Sequence, residues 1–329
     1  MEGRPMSLHR GAFGILSIAL IATWECPRSG FLRADTAELR ASGVLAVVTD
    51  NEAWQAHLAR YNGLAYLSVG REYESVFHKL YGGLDLECFF DQDQAPPAGT
   101  PRNIDFLFEP RNVPMTLRRI SDDRVELHEA PGPYWGIETW TRFAVREPDS
   151  IDVEFDCVLR KKSVHGKFLG FFFADYVNSP DDGAYYFLGR TKAGGPIQWV
   201  SAYSQKHNDH STFLPEQSPL KTEFKPGYRN SLWSNFSESV YTYPFYYGIV
   251  KGQMLMLMFD HQKNIRFAHS PTGGGGTPAW DFEFIIPNQP GKKYGYHARV
   301  LVKRFVSRED VVREYERWSQ RTISNAPKD

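Results

Sequence analysis

Cysteine is scarce in this chain. Its 329 residues include three, Cys26, Cys88 and Cys157, with no Cys-x-x-Cys pair and no zinc-ligand spacing. That excludes a disulfide-stapled miniature scaffold and a zinc module. A chain near 300 residues buries roughly three quarters of the surface its unfolded form exposes and needs no staples. If Cys26 leaves with a signal peptide, Cys88 and Cys157 remain either as one disulfide or as two small buried side chains. An excess of one charge is lacking too. Lys and Arg number 38 against 39 Asp and Glu, a formal net charge of -1. The basic surface that phosphate backbones demand is therefore absent, and no nucleic-acid partner is expected. No apolar run beyond residue 24 approaches the roughly 20 residues of a membrane-spanning helix, so the mature chain is expected to carry no span. Gly-x-Ser-x-Gly and Walker motifs are missing, as is any repeat of fixed period. The four glycines at 273–276 have neither Lys-Ser/Thr nor a helix after them, and read as a loop.

What is present is aromatic and turn-rich. Phe, Tyr and Trp make up 15% of the chain, alongside 27 Gly and 21 Pro, while charged residues at 23% and hydrophobics at 42% exclude wholesale disorder. This profile suits a β protein. At the N-terminus Arg4, His9 and Arg10 precede an apolar stretch over 12–24, too short to span a membrane but of signal-peptide length. Export to a secreted or periplasmic location is expected, with cleavage near Ala37. A buried N-terminal helix, or a true start at Met6, are the alternatives. Short apolar runs with turn signals then predict strands over 43–49, 63–69, 104–108, 115–120, 124–129, 137–145, 151–159, 168–175, 184–188, 197–203, 254–260, 264–269, 281–286 and 296–305. A short helix is expected over 51–60, and an extended segment over 81–90. Only 308–320 reads as firmly helical, with Ser307 as N-cap and Glu309 and Asp310 in the first turn. The expected fold is all-β: a two-sheet antiparallel β-sandwich, a jelly roll, with a short C-terminal helix. Residues 1–36 form the leader. A single domain spans 37–329, with edge strands in 37–100, the core in 101–306 and the helix over 307–320.

The most informative stretch is 134–161. With Glu147-Pro148-Asp149 as a hairpin loop, Arg146 falls opposite Ser150, Ala144 opposite Asp152, Arg142 opposite Glu154 and Trp140 opposite Asp156. Side chains alternate along each strand, so one face carries Ile137, Phe143, Val145, Ile151, Val153, Phe155, Cys157 and Leu159. The other carries Glu138, Trp140, Arg142, Asp152, Glu154 and Asp156. A slip of one residue would press carboxylates into the apolar set at several kcal/mol, so the pattern itself sets the register. Carboxylates about 7 Å apart along one strand repel one another, and one pKa rises unless a cation such as Arg142 intervenes. A proton-loaded acid beside an ionised partner is what glycosidic cleavage needs, with carboxyl separations of about 5–5.5 Å for retention and about 6.5–9.5 Å for inversion. The plain alternative is a solvated face of weak ion pairs.

The runs at 137–145 and 151–159, with Lys167-Phe-Leu-Gly-Phe-Phe-Phe, Gly183-Ala-Tyr-Tyr-Phe-Leu-Gly and Tyr296-His-Ala-Arg-Val-Leu-Val, make roughly residues 100–305 resemble secreted proteins of the concanavalin A-like lectin/glucanase jelly-roll class. Laminarinase-type members carry Glu-x-Asp-x-Glu on one strand. The comparable run here is Asp152-Val-Glu154-Phe-Asp156, with the acid types interchanged. The Gln-Ile-His strand of alginate-lyase-type members is absent.

The expected function is that of an exported carbohydrate-active protein which cleaves or modifies a polysaccharide in a groove on its concave sheet, glycoside hydrolase-like first and lyase second. Glu154 with Glu138 or with Asp156 forms the acid/base pair, tuned by Arg142. Trp140 and Trp199 stack on sugar rings. Asp152, Tyr203, His207, His210 and Arg299 complete the expected oligosaccharide contacts. His207-Asn208-Asp209-His210 is the densest histidine cluster, suited to a general base, to metal ligation or to an ordinary surface loop. Arg299 is suited to an acidic sugar. No cofactor is expected, apart from an optional structural calcium. Two rivals stand beside this reading, a non-catalytic carbohydrate-binding protein and a structural or surface-assembly module.

Overall fold

A computed structural model describes residues 36–52, 61–70, 74–93, 95, 106–218, 220–229, 231–261, 263–272, 276–324 and 326–327. The expected leader and helix at 51–60 lie largely outside the described residues, as do Cys26 and most of the four-glycine run, whereas Ala37, near which cleavage was expected, is a buried strand residue paired with Val48. In chain order the strands are β1 (Thr36–Ala41), β2 (Val44–Thr49), β3 (Gly63–Val69), β4 (Asp85–Asp91), β5 (Met115–Ser121), β6 (Arg124–Glu129), β7 (Ile137–Arg146), β8 (Ser150–Leu159) and β9 (Phe168–Ala174). There follow β10 (Tyr185–Thr191), β11 (Gly194–Ala202), β12 (Thr212–Pro215), β13 (Phe236–Tyr241), β14 (Phe245–Val250), β15 (Gln253–Phe259), β16 (Ile265–Ser270), β17 (Ala279–Pro287) and β18 (Lys293–Arg304). The α-helices are α1 (Glu109–Asn112) and α2 (Arg308–Ser319).

The strands form a three-stranded sheet, β1-β2-β3, and one 15-stranded sheet ordered β4-β9-β17-β16-β12-β13-β10-β14-β15-β18-β8-β7-β6-β5, with β11 paired to β10. Pairing is antiparallel throughout the described strands except between β12 and β13. The long sheet turns back over itself. Phe155 of β8 lies 5.5 Å and 5.1 Å, ring to ring, from Phe171 and Phe173 of β9, and 6.0 Å from Phe284 of β17. In sheet order β8 is far from β9 and β17, so these are contacts between two layers. Phe143, Val153, Phe267, Phe282 and Val300, with Leu39, Val48 and Leu64 of the small sheet, join the same buried cluster. Burial of apolar surface on this scale is the main favourable term in folding.

The hairpin behaves as its alternation requires. Trp140 pairs with Asp156, Arg142 with Glu154, Ala144 with Asp152 and Arg146 with Ser150. Phe143, Val153, Phe155 and Cys157 are buried, while Glu138, Trp140, Arg142, Asp152, Glu154 and Asp156 are half-buried on the opposite face. Cys88 and Cys157 are both buried thiols and are not bridged to each other.

Helix α2 begins as expected: the Ser307 side chain accepts from the Asp310 N–H at 3.3 Å. It lays Val311, Val312 and Tyr315 on Phe245, Met254, Met256, Met258 and Leu301. Those methionines thus bury their second face under a helix. Several elements depart from expectation, β1 among them. Residues 106–108, expected as a strand end, form a 3-10 turn that leads into α1, where Pro110 stands in the first turn. Strands β12, β13 and β14 were not expected. β12 is four residues long and ends in proline, β14 carries Gly248, and neither shows the long alternation that marks a strand.

Candidate functional site

On the outer face of β5 to β8 and β18 every acidic residue of the hairpin meets a base. Arg142 spans Glu126 and Asp156 at 2.7 Å each and approaches Glu154 at 3.9 Å. Arg124 holds Glu154 at 2.6 Å, and Lys293 adds a contact to Asp156 at 3.0 Å. Asp152 sits between Arg146 at 2.8 Å and Arg299 at 2.6 Å. Glu138 bonds His128 at 2.9 Å and Arg160 at 2.5 Å. Burial works to raise the Glu138 carboxyl, but the His128 and Arg160 hydrogen bonds outweigh it and hold it below the usual range. Arg142 thus intervenes between the acids, and the consequence is an ion-pair ladder in which each of these carboxylates faces at least one basic side chain. Trp140 stacks on His128, centroids 5.2 Å apart. Glu154 and Asp156 border an open depression of about 340 Å³ with Asp260 and His297.

The other expected contacts do not converge there. Trp199 lies on β11, packed edge-on against Tyr247 and beneath the Arg308 guanidinium, 5.5 Å away. Between β7 and β11 run six strand spacings, about 29 Å along the sheet, and α2 covers the strands between. Trp140 and Trp199 therefore cannot grip one sugar ring. Tyr203 is exposed, and the His210 imidazole stands 3.7 Å from Asp209 at the surface. Arg299 is already held by Asp152. Among the described residues no group of three or more His, Cys, Asp or Glu side chains is gathered as for a metal ion.

A different cavity, of about 520 Å³, opens on the outer face of β4, β9, β17 and β16. Its walls include Glu87, Asp281, His207, Phe172, Tyr176 and Trp233. Of the expected sugar-binding residues His207 alone lines it, with Nδ1 3.1 Å from the Ser270 hydroxyl. Trp233 arrives on the segment after β12, held by a hydrogen bond from its indole to the Tyr228 hydroxyl at 2.7 Å and stacked on Phe90 at 4.8 Å. A Cβ at Gly170 would stand 2.1 Å from the Phe90 ring, so glycine there lets Phe90 lie flat beneath Trp233. The same segment is tied down by Lys225, paired with Asp93, and by Thr222, which accepts from Arg266 at 2.9 Å.

Two carboxyl groups reach this cavity in different states. Glu87 on β4 is fixed by the Arg111 guanidinium at 3.3 Å and by the Tyr176 hydroxyl at 3.4 Å. Arg111, from α1, is buried, also pairs with the fully buried Asp85 (Nε to Oδ2 3.0 Å), and lies 4.1 Å over the Tyr61 ring. Asp281 on β17 is 1% exposed. One of its oxygens accepts from the Asp175 N–H at 3.0 Å, and Oδ2 has no hydrogen-bond partner. Burial lifts its carboxyl well above the ordinary range. The Asp175 N–H opposes that rise, and the charges of Glu87, Asp175 and Glu283 add to it. Glu283, two residues on and on the same face, is raised to about 8 by burial despite Arg266. The cavity therefore joins an acid whose pKa burial raises, a second carboxyl clamped by Arg111 and Tyr176, and an aromatic wall. The sequence does hold a signal for it. Asp281-Phe-Glu283-Phe alternates acid and apolar residue as Asp152-Val-Glu154-Phe-Asp156 does, a pattern that by itself predicts only a strand.

No family model and no curated protein matches the chain. Among solved structures, a putative aldose 1-epimerase from Escherichia coli K12 aligns over 83% of this chain and 100% of its own, at 9% identity and a TM-score of 0.50. A galactose 1-epimerase from Lactobacillus acidophilus NCFM aligns over 85% and 98%, at 10% identity and a TM-score of 0.48. An alpha-N-acetylgalactosaminidase from Bifidobacterium bifidum aligns over 86% of this chain and 38% of its own, at 10% identity and a TM-score of 0.47. The likeness is one of fold. It supports a β-sandwich and does not single out the concanavalin A-like class.

Proposed function

We propose that this protein binds a saccharide in the cavity between Glu87, Asp281 and Trp233 and moves protons at its anomeric centre. The observation that carries the reading is Asp281: a buried carboxyl, its pKa raised by burial and its Oδ2 without a hydrogen-bond partner, in the wall of an aromatic-lined cavity that also holds Glu87. Both hydrolysis of a glycosidic bond and interconversion of anomers require one donor and one acceptor at that centre. Asp281 is the donor, and Glu87, oriented by Arg111, the acceptor. Trp233, Phe172 and Tyr176 offer rings to the apolar face of a sugar. The fold likeness to a putative aldose 1-epimerase agrees with anomeric chemistry. The reading moves the chemistry away from Glu154, Glu138 and Asp156, whose charges are matched by arginines. Export remains part of it, on the strength of the apolar stretch at 12–24.

Two assays on the purified protein test the proposal: polarimetry of freshly dissolved anomers, and reducing-sugar release from an oligosaccharide panel. Activity in either is expected to fall by roughly 100-fold in Asp281→Asn and in Glu87→Gln. It is expected to stay within about twofold in Glu154→Gln. Saccharide binding with no turnover would leave a lectin. Activity that survives Asp281→Asn and disappears in Glu154→Gln would return the chemistry to the ladder.

A further inference from the structure

We infer that a second cavity, which shares no lining residue with the first, is a binding site for a small ligand bearing an oxyanion, a sulfate or phosphate group. It has a volume of about 660 Å³, larger than the first, and is lined by Glu216, Thr242, Tyr243, His261, Lys263 and Arg321 among others. These residues come from four separate segments. Glu216 follows β12, Thr242 and Tyr243 make the turn from β13 to β14, His261 and Lys263 lie between β15 and β16, and Arg321 follows α2. The charges do not cancel. Glu216 is taken by Arg190 at 3.2 Å, and Asp260 stands 3.7 Å from His261. Among the described residues Lys263 has no carboxylate within ion-pair distance. Among the described residues the Arg321 guanidinium has no carboxylate within ion-pair distance; it donates to the Asp260 carbonyl at 3.0 Å and lies near the Tyr315 hydroxyl. Two cations without a counter-charge therefore face one cavity, with the His261 and Tyr243 side chains beside them. A buried Nδ1 on His261 has no hydrogen-bond partner and is one further polar group for a ligand to meet.

Arginine and lysine together are the usual recognition pair for tetrahedral oxyanions, the fork of one giving geometry and the point charge of the other giving attraction. A neutral sugar would leave both charges unmatched, and a cation would be repelled. The site is half-open, so its affinity depends on ionic strength. This inference does not rest on the Glu87/Asp281 reading.

The test is a titration of isotope-labelled full-length protein with inorganic sulfate, glucose 6-sulfate and glucose at low ionic strength, followed by amide shifts. Saturable shifts at residues 242, 243, 261, 263 and 321 are expected with the first two probes and not with glucose. Binding is expected to weaken about fivefold in Lys263→Gln and in Arg321→Gln, and at least tenfold in the double variant. It should be unchanged in Lys251→Gln, whose partner is Glu74, and in Glu87→Gln. Tighter binding of glucose 6-sulfate than of sulfate would assign a sulfated or phosphorylated sugar, and equal binding the free ion. No saturable shift with either anion, or undiminished binding in a folded double variant, would overturn the inference.

Discussion

Replacing Arg111 by methionine tests whether the buried charges beneath the first cavity act as one unit. The guanidinium bonds Asp85, a residue with no exposed surface, reaches Glu87 at 3.3 Å and covers Tyr61 at 4.1 Å. Methionine keeps much of the volume and removes the charge. Asp85 is then a buried carboxyl whose only remaining donors come from Asn62, whose side-chain amide lies 2.9 Å away. Breaking a buried pair from one side costs about 3–5 kcal/mol. For a domain of this size that is a fall in melting temperature of roughly 6–15 °C. The loss should depend on pH in one direction. With Arg111 in place burial already holds Asp85 at about 6, above its unfolded value near 3.9, and without the guanidinium it rises further. A raised carboxyl favours folding below that unfolded value and loses the contribution as pH climbs through the folded pKa. The gap between Arg111→Met and the parent should therefore be small near pH 4.5 and largest near pH 8. Urea denaturation at the two pH values measures it, and Arg111→Met/Asp85→Asn should recover at least half of the pH 8 loss. A gap below about 1 kcal/mol at pH 8, or one equal at both pH values, would refute the buried-pair argument.

Other outcomes follow from the same structure. Asp175 is fully buried, and burial raises it to about 7 against hydrogen bonds from the Leu84 N–H and the Tyr246 hydroxyl. Its raised pKa favours the fold at low pH and that contribution fades as pH rises from about 4 through 7. Asp175→Asn should accordingly flatten the decline in stability between pH 5 and 8, seen by thermal melts in matched buffers. Phe155→Ala removes a ring that meets Phe171, Phe173, Phe284 and Tyr296, and should cost about 3–5 kcal/mol in urea unfolding. Glu154→Gln, on the half-exposed ladder beside Arg124, should cost less than about 1 kcal/mol, and less still in high salt. A larger or salt-insensitive loss would mean that the ladder is not a solvated set of ion pairs.

Strand parity was legible in the amino-acid order, because the side-chain period of a strand is two and a register slip would bury charge. That is why the Trp140–Asp156 and Arg142–Glu154 pairs, the buried Phe143 and Phe155, and the Ser307-capped helix all follow from local pattern. Local pattern also shows acids alternating with apolar residues in two places, at 152–156 and at 281–283. It does not show what lies over either face. Tertiary structure decided that. At 152–156 the neighbouring strands bring arginines from Arg124 to Arg299, and each carboxylate meets a cation. At 281–283 the strand lies inside, Asp281 is 1% exposed, and burial raises its carboxyl well above the ordinary range. Burial acts on a carboxyl through everything that surrounds it, and those surroundings come from residues 50 to 200 positions away along the chain.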